Sequence, residues 1–197
     1  MNKKYVAEFI GTFGLAFMVT MAVSGNFMIP VPLLAGLTLA LFVYSIGHIS
    51  GCHLNPAVTL GLLSIKKISA KDAFGYVVAQ FAAAMLALFF AESFSVVIPS
   101  MDAGMIGVGV AEAIGMTFFT FGIASVVYGR VDKTFSGLVV GGSLVLGVAF
   151  AALAGSAGVL NPAVAYSLHL LSPMYVLGPI FGSILGFNLY TWLDQQK

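Results

Sequence analysis

The pentapeptide Leu-Asn-Pro-Ala-Val occurs twice in the chain, at Leu54–Val58 and Leu160–Val164, each time after a polar, Gly-rich break in an apolar run. Asn before Pro is typical of a helix start, because Asn can cap the helix and Pro suits its first position. A helix that begins inside an apolar protein directs its free N–H groups and positive dipole end at something polar. Two such starts predict two half-helices that meet inside a membrane and face a shared pathway.

The composition indicates that lipid surrounds most of the chain. Of its 197 residues, 60% are hydrophobic and only 8% are charged, too few charges to cover the surface of a soluble domain. A membrane-spanning helix needs about 20 mainly apolar residues. Six segments meet this requirement, at about 5–24, 31–49, 72–97, 104–128, 135–153 and 174–193.

The basic residues predict the orientation of these spans. They lie before the first span, between the second and third, between the fourth and fifth, and after the sixth: Lys3, Lys4, Lys66, Lys67, Lys71, Arg130, Lys133 and Lys197. Basic loops stay on the cytoplasmic side. We therefore expect a multi-pass protein of the cell membrane with both termini in the cytoplasm. The net charge of +1 does not indicate a nucleic-acid partner.

The chain repeats itself in a way that predicts inverted halves. Ala7–Gly11 in the first span resembles Ala111–Gly115 in the fourth, and the two Asn-Pro-Ala copies have nearly the same separation. A three-span unit followed by its copy lies upside down in the membrane relative to the first, and proteins built in this way function at the midplane. We predict one all-α membrane domain, residues 1–197, with inverted three-helix repeats at about 1–100 and 104–197.

Each Asn-Pro-Ala copy predicts a re-entrant half-helix. The segments 55–65 and 161–171 would each extend about 15 Å as helices, half of a bilayer core that is about 30 Å thick. The irregular backbone before them is tolerated at membrane depth only where it lines a cavity. We therefore expect five loop residues to line the pathway with their carbonyl groups: Gly51, Cys52, His53, Ser156 and Ala157.

Two carboxylates, Glu8 and Glu112, lie within predicted spans. Intramembrane acids are functional candidates, and a proton-coupled transporter would use them. Their symmetric positions favour the other interpretation, a scaffold that accepts hydrogen bonds from the re-entrant loops.

No His and carboxylate pair has the spacing of metal ligands, and neither a Ser nor Cys52 has an evident base partner. The sequence therefore predicts neither a metal site nor an enzyme.

Together, these motifs resemble the aquaporin, or major intrinsic protein, family. The residues that carry the resemblance are SGCHLNPAVT at 50–59, the second Asn-Pro-Ala at 161–163, and the paired Glu8 and Glu112. The resemblance covers essentially the whole chain. It implies a homotetramer in a lipid bilayer with one pore per subunit and no cofactor. It also implies that Asn55 and Asn161 donate hydrogen bonds to a solute at the midplane, where the half-helix dipoles hinder cations and protons.

One position departs from the family pattern. Typical members have Arg after the second Asn-Pro-Ala, at the narrowest part of the outer pore, and this chain has Val164. Counting from the motifs places the rest of this selectivity filter at Ala35, Ala149 and Gly158. An error of one residue would bring in Leu34, Val148 or Phe150. All four predicted filter residues are small and apolar, without the charge and donors of an Arg.

Discrimination between small solutes needs a tight fit or well-placed hydrogen bonds, and this filter offers little of either. We therefore expect a passive channel for water and larger neutral solutes, with metalloid acids or arsenicals as candidates. One alternative is a glycerol and water facilitator of the same fold. Another is an ion-coupled secondary transporter that uses Glu8 or Glu112.

Overall fold

A computed structural model describes residues 2–25, 28–94, 97 and 105–195. Within these residues the chain forms eight α-helices and a short 3-10 turn (Lys133–Phe135), without strands. The helices are α1 (Lys3–Ser24), α2 (Val31–Ser50), α3 (Pro56–Ser64), α4 (Ala70–Ser93), α5 (Ile106–Val127), α6 (Ser136–Leu153), α7 (Pro162–Ser167) and α8 (Pro173–Asp194). All except α3 and α7 are long and apolar enough to cross a membrane. The prediction of six spans and two half-helices is confirmed.

Both half-helices start at the Asn-Pro pair. The side-chain oxygen of Asn55 accepts a hydrogen bond from the N–H of Ala57 at 2.8 Å, and that of Asn161 accepts one from Ala163 at 3.0 Å. In each case Pro is the first helical residue. Pro has no N–H that would need a partner there, so the pair caps the helix with little cost.

The half-helices are less alike at their ends than the sequence predicted. Helix α3 has nine residues and α7 has six, so the prediction that the second half-helix extends to about residue 171 is wrong. Each helix is followed by a residue in the left-handed conformation, Lys66 (φ 59°) or His169 (φ 56°). The N–H of the next residue bonds back into the last turn, at 2.9 and 2.8 Å. Gly usually occupies this stop position, and its absence at residue 169 concealed the end of α7.

The third span is also shorter than predicted. Helix α4 ends at Ser93, Phe94 lies in a turn, and residue 97 is not helical. The apolar sequence continues past the helix end, so composition alone extended the predicted span to 97. The predicted start of the fourth span, at 104, lies outside the described residues, and α5 begins at Ile106.

The helix packing follows the inverted repeat. Helix α1 packs against α2 and α4, and α5 packs in the same way against α6 and α8. Each half-helix contacts the last long helix of the opposite repeat, α3 against α8 and α7 against α4. The two halves also meet where α2 crosses α6 at Gly36 and Gly141. A Cβ on Gly36 would lie 2.6 Å from the Gly141 carbonyl oxygen, so this approach requires glycine.

Candidate functional site

The carboxylate of Glu8 is fully buried and holds the loop before α3. Its Oε1 accepts hydrogen bonds from the Ser50 hydroxyl at 2.7 Å and the His53 N–H at 2.9 Å. Its Oε2 accepts from the Leu54 N–H at 2.8 Å and the Gln80 side-chain amide at 2.9 Å. Both oxygens therefore have two donors, which compensates for the burial of the acid.

Glu112, also fully buried, does the same for the loop before α7. Its Oε1 accepts from the Ser156 hydroxyl and from the Val159 N–H at 2.9 Å. Its Oε2 accepts from the Leu160 N–H at 2.6 Å. The two acids make matching contacts in the two repeats, and this geometry supports the scaffold interpretation.

The loops adopt the same unusual backbone in both repeats. Cys52 and Leu54 have φ values of 54° and 50°, and the corresponding Gly158 and Leu160 have 68° and 56°. A left-handed conformation costs a residue other than Gly about 1–3 kcal/mol, and it persists only where the surroundings maintain it. Here the buried acids bind the N–H groups of Leu54 and Leu160 and so maintain the loops.

The carbonyl groups of these two leucines join the half-helices at the centre of the protein. Asn55 Nδ2 donates to the Leu160 oxygen, and Asn161 Nδ2 donates to the Leu54 oxygen, both at 2.9 Å. A side-chain amide has two N–H groups. The second N–H of each Asn has no protein partner among the described residues, and both side chains line a cavity. Each Asn thus holds the opposite loop and keeps one N–H group without a protein partner in the described part of the chain.

Two cavities extend from this centre, and we name them outer and inner after the orientation that the basic residues predict. The outer cavity, of about 220 Å³, includes both Asn side chains and the end of the second loop. The inner cavity, of about 460 Å³, is bounded by the first loop and extends to Lys67 and Asp72. In the described part of the chain, the residues that line both cavities are Leu39, His53 and Phe119.

Three of the four predicted filter residues, Ala35, Gly158 and Val164, lie in the wall of the outer cavity. Ala149 does not; the adjacent Val148 takes its place. Successive residues of a helix point about 100° apart, so an error of one in counting from the motif turns a side chain away from the cavity. Val148 was one of the alternatives that the counting left open.

The predicted loop residues divide between the cavities. Gly51, Cys52 and His53 line the inner cavity, His53 and Ala157 line the outer one, and Ser156 lines neither. The Ser156 hydroxyl instead binds Glu112. Among the described residues, no three His, Cys, Asp or Glu side chains form a group that could hold a metal ion.

Sequence reasoning missed Leu39 and Phe119, which lie where the cavities meet. Both are apolar residues inside apolar spans, and composition cannot separate such side chains from those that pack between helices or face lipid. The inverted repeat could have placed Phe119 seven residues after Glu112, the position that Leu15 takes after Glu8.

Two capped half-helices that meet between inverted three-helix units, with a cavity on either side, define a multi-pass membrane channel. The family model described as Major intrinsic protein matches residues 1–190. The chain belongs to this family.

Relatives and a solved structure agree in length and fold. The chain is 30% identical over 246 residues to Aquaporin AqpM of Methanothermobacter thermautotrophicus, covering 100% of this chain and 99% of the relative. It is 33% identical over 206 residues to Glycerol uptake facilitator protein-like 6 of Lactiplantibacillus plantarum, with 93% and 94% covered. The X-ray structure of the aquaglyceroporin from Plasmodium falciparum superposes with a TM-score of 0.65, covering 98% and 95% at 21% identity.

Proposed function

We propose that this protein is a passive channel whose wide, apolar outer filter passes water and larger uncharged solutes. The proposal depends mainly on the position of Val164. It directly follows the second Asn-Pro-Ala, where typical members of the family have Arg, and it lies in the wall of the outer cavity. Ala35, Val148 and Gly158 complete the small, apolar part of this wall, which includes no Asp, Glu, Lys or Arg among the described residues.

The solutes that suit this filter are small, neutral and hydroxylated. Without a fixed charge the filter does not favour an ion, and without bulky side chains it does not restrict passage to water. The remaining N–H groups of Asn55 and Asn161 provide donors for a solute oxygen. Glycerol, uncharged metalloid acids and arsenicals meet these requirements. The glycerol facilitator among the relatives supports the glycerol alternative.

The ion-coupled alternative finds no support. A carboxylate that carries protons must exchange them with the pathway. Every oxygen of Glu8 and Glu112 accepts hydrogen bonds from the loops or neighbouring helices, and neither acid is among the residues that line the outer or the inner cavity. Their oxygens serve as acceptors for backbone N–H groups, which accords with a scaffold role.

We further propose a homotetramer in the cell membrane, with both termini and the basic loops in the cytoplasm. The alternation of basic and uncharged connections supports this orientation. A membrane-impermeant thiol reagent tests the orientation. On a Cys52→Ser background, Lys66→Cys should react only from the cytoplasmic side. Native mass spectrometry of the purified protein tests the tetramer, and a monomer or dimer would reject it.

Stopped-flow measurements on proteoliposomes test the function. Proteoliposomes and empty liposomes are compared in three measurements. Osmotic shrinkage reports water permeability, reswelling reports the permeability to glycerol and urea, and uptake is measured for arsenite and methylated arsenicals. We expect fluxes that rise linearly with the solute gradient and do not change when an ionophore collapses the proton gradient. Saturating uptake that requires an ion gradient would overturn the channel, and conduction of water alone would overturn the proposed passage of larger solutes.

A further inference from the structure

The place where the two cavities meet forms a ring that the outer filter does not include. Leu39 of α2, Phe119 of α5 and His53 of the first loop line both cavities; we call these three residues the inner ring. None of these three residues belongs to the predicted outer filter, whose side chains in the wall of the outer cavity are small and apolar.

The inverted repeat provides an internal comparison for the inner ring. Corresponding residues of the two repeats lie 104–106 positions apart, as shown by the buried acids, the crossing glycines and the loop leucines. The same offsets pair each residue of the inner ring with one in the other repeat. The pairs are Phe119 with Leu15, Leu39 with Leu144, and His53 with Val159. The second set also lines the outer cavity, and we call it the outer ring.

The two rings differ in size and polarity. The inner ring has Phe where the outer ring has Leu, and His where the outer ring has Val, while the third position is Leu in both. The inner ring is therefore the bulkier of the two and has a polar group that its counterpart lacks. The two rings thus differ in side chains although the scaffold around them is repeated.

Two residues of the inner ring are tightly packed. Leu39 and Phe119 are each only 2% exposed. Helices α5 and α6 approach so closely beside Phe119 that a Cβ on Gly147 would lie 3.0 Å from the Cβ of Phe119. Since packed interiors resist displacement, these two side chains are not easily moved aside.

The hydrogen bonds of Thr59 favour one tautomer of the third ring residue, His53. The Thr59 hydroxyl donates its one hydrogen to the Asn55 carbonyl at 3.0 Å and accepts from the Gln80 amide at 3.1 Å. Its remaining lone pair can only accept a hydrogen bond, and His53 Nδ1 lies 3.1 Å away. Nδ1 therefore carries the hydrogen, which leaves Nε2 of the neutral ring as an acceptor, without a protein donor among the described residues.

We propose that the inner ring is the solute-selective constriction of this channel. Leu39 and Phe119 set the width, and His53 Nε2 accepts a hydrogen bond from a solute O–H or N–H while the Asn pair donates to its oxygen. The ring thus favours small neutral molecules that carry both donor and acceptor groups. This inference rests on the proposed channel function and assigns the discrimination to different residues from the outer filter.

One matched pair of variants tests the position of the constriction, because Leu39 and Leu144 are symmetry-related. Leu39→Ala and Leu144→Ala are reconstituted in liposomes, and the ratio of glycerol to water permeability is measured by stopped flow. We expect Leu39→Ala to raise this ratio by roughly tenfold, the discrimination that an apolar site exerts for about one methylene group. Leu144→Ala should change it much less. Phe119→Leu, which copies the symmetry-related residue, replaces Leu39→Ala if that variant does not fold.

The outcomes separate this inference from the channel proposal. If the wild type conducts glycerol and Leu144→Ala changes the ratio as much as Leu39→Ala, the inner ring is not the constriction. If the wild type conducts only water but Leu39→Ala admits glycerol, the inner ring is supported and the wide-channel proposal fails. If neither the wild type nor any variant conducts a solute, both proposals are overturned.

The histidine assignment has its own test. The chain has three His, so ¹⁵N NMR of histidine-labelled protein in lipid resolves few imidazole signals, and His53→Phe identifies those of residue 53. We expect a hydrogen on Nδ1 and none on Nε2 at neutral pH, with the Nε2 signal shifting when glycerol is added. A hydrogen on Nε2, or a signal that glycerol does not move, would refute the acceptor role.

Discussion

Replacing Glu8 by Gln preserves the shape of the side chain but removes half of its acceptors. In the wild type, four donors point at the carboxylate, two at each oxygen. Gln has one oxygen, and its NH₂ group would face the other two donors. Each buried donor left without a partner costs about 1–3 kcal/mol. Two such donors lower the free energy of unfolding by about 2–6 kcal/mol.

The melting temperature of the purified protein in detergent, followed by intrinsic fluorescence, reports this loss. A domain of this size loses about 2–4 °C per kcal/mol, so we expect a fall of roughly 5–20 °C. The matched control is Glu92→Gln, because the Glu92 side chain is 56% exposed and its contact is a 3.4 Å pair with His169. If Glu8→Gln melts at the same temperature as Glu92→Gln, the scaffold role of Glu8 is refuted.

Two further predictions concern packing and the loops. Gly178→Ala should lower the free energy of unfolding by about 1–3 kcal/mol, because the new Cβ would lie 2.5 Å from the Gly109 carbonyl oxygen. The control is Gly142→Ala, whose Cβ would meet no atom within 4 Å. Equal melting temperatures of the two variants would count against the close helix crossing at Gly178. Tyr76→Phe should lower the free energy of unfolding by about 1 kcal/mol, because the 2.6 Å hydrogen bond from the Tyr76 hydroxyl to the Ser50 carbonyl is lost. A fall in melting temperature as large as that of Glu8→Gln would contradict this limited role of the hydroxyl.

The sequence predicted those parts of the fold that depend on composition and on Asn-Pro. Six apolar spans, two half-helix starts and the repeat follow from chain length, capping chemistry and the two acids. The end of the first half-helix was predicted to within a residue, but that of the second was not, because His169 occupies a left-handed position where Gly would have marked a stop. The end of α4 was missed for another reason, since apolar residues continue beyond it.

The candidate site was predicted unevenly for a similar reason. Polar residues with a specific chemistry, such as Asn55, Asn161 and the paired acids, stand out in an apolar chain. Leu39 and Phe119 do not, because an apolar side chain that lines a pathway has the same composition signal as one in contact with lipid. Val148 and Ala149 are neighbours on one helix, and only the structure shows which of them faces the cavity.

The central claim, a wide channel without a charged filter, is tested most directly by the ratio of glycerol to water permeability in the wild type and in Val164→Arg. An Arg would add five donors and a fixed charge to the outer cavity. We predict that the wild type conducts glycerol and that Val164→Arg loses much more glycerol than water permeability. Equal losses of both, or a wild type that excludes glycerol, would contradict the account.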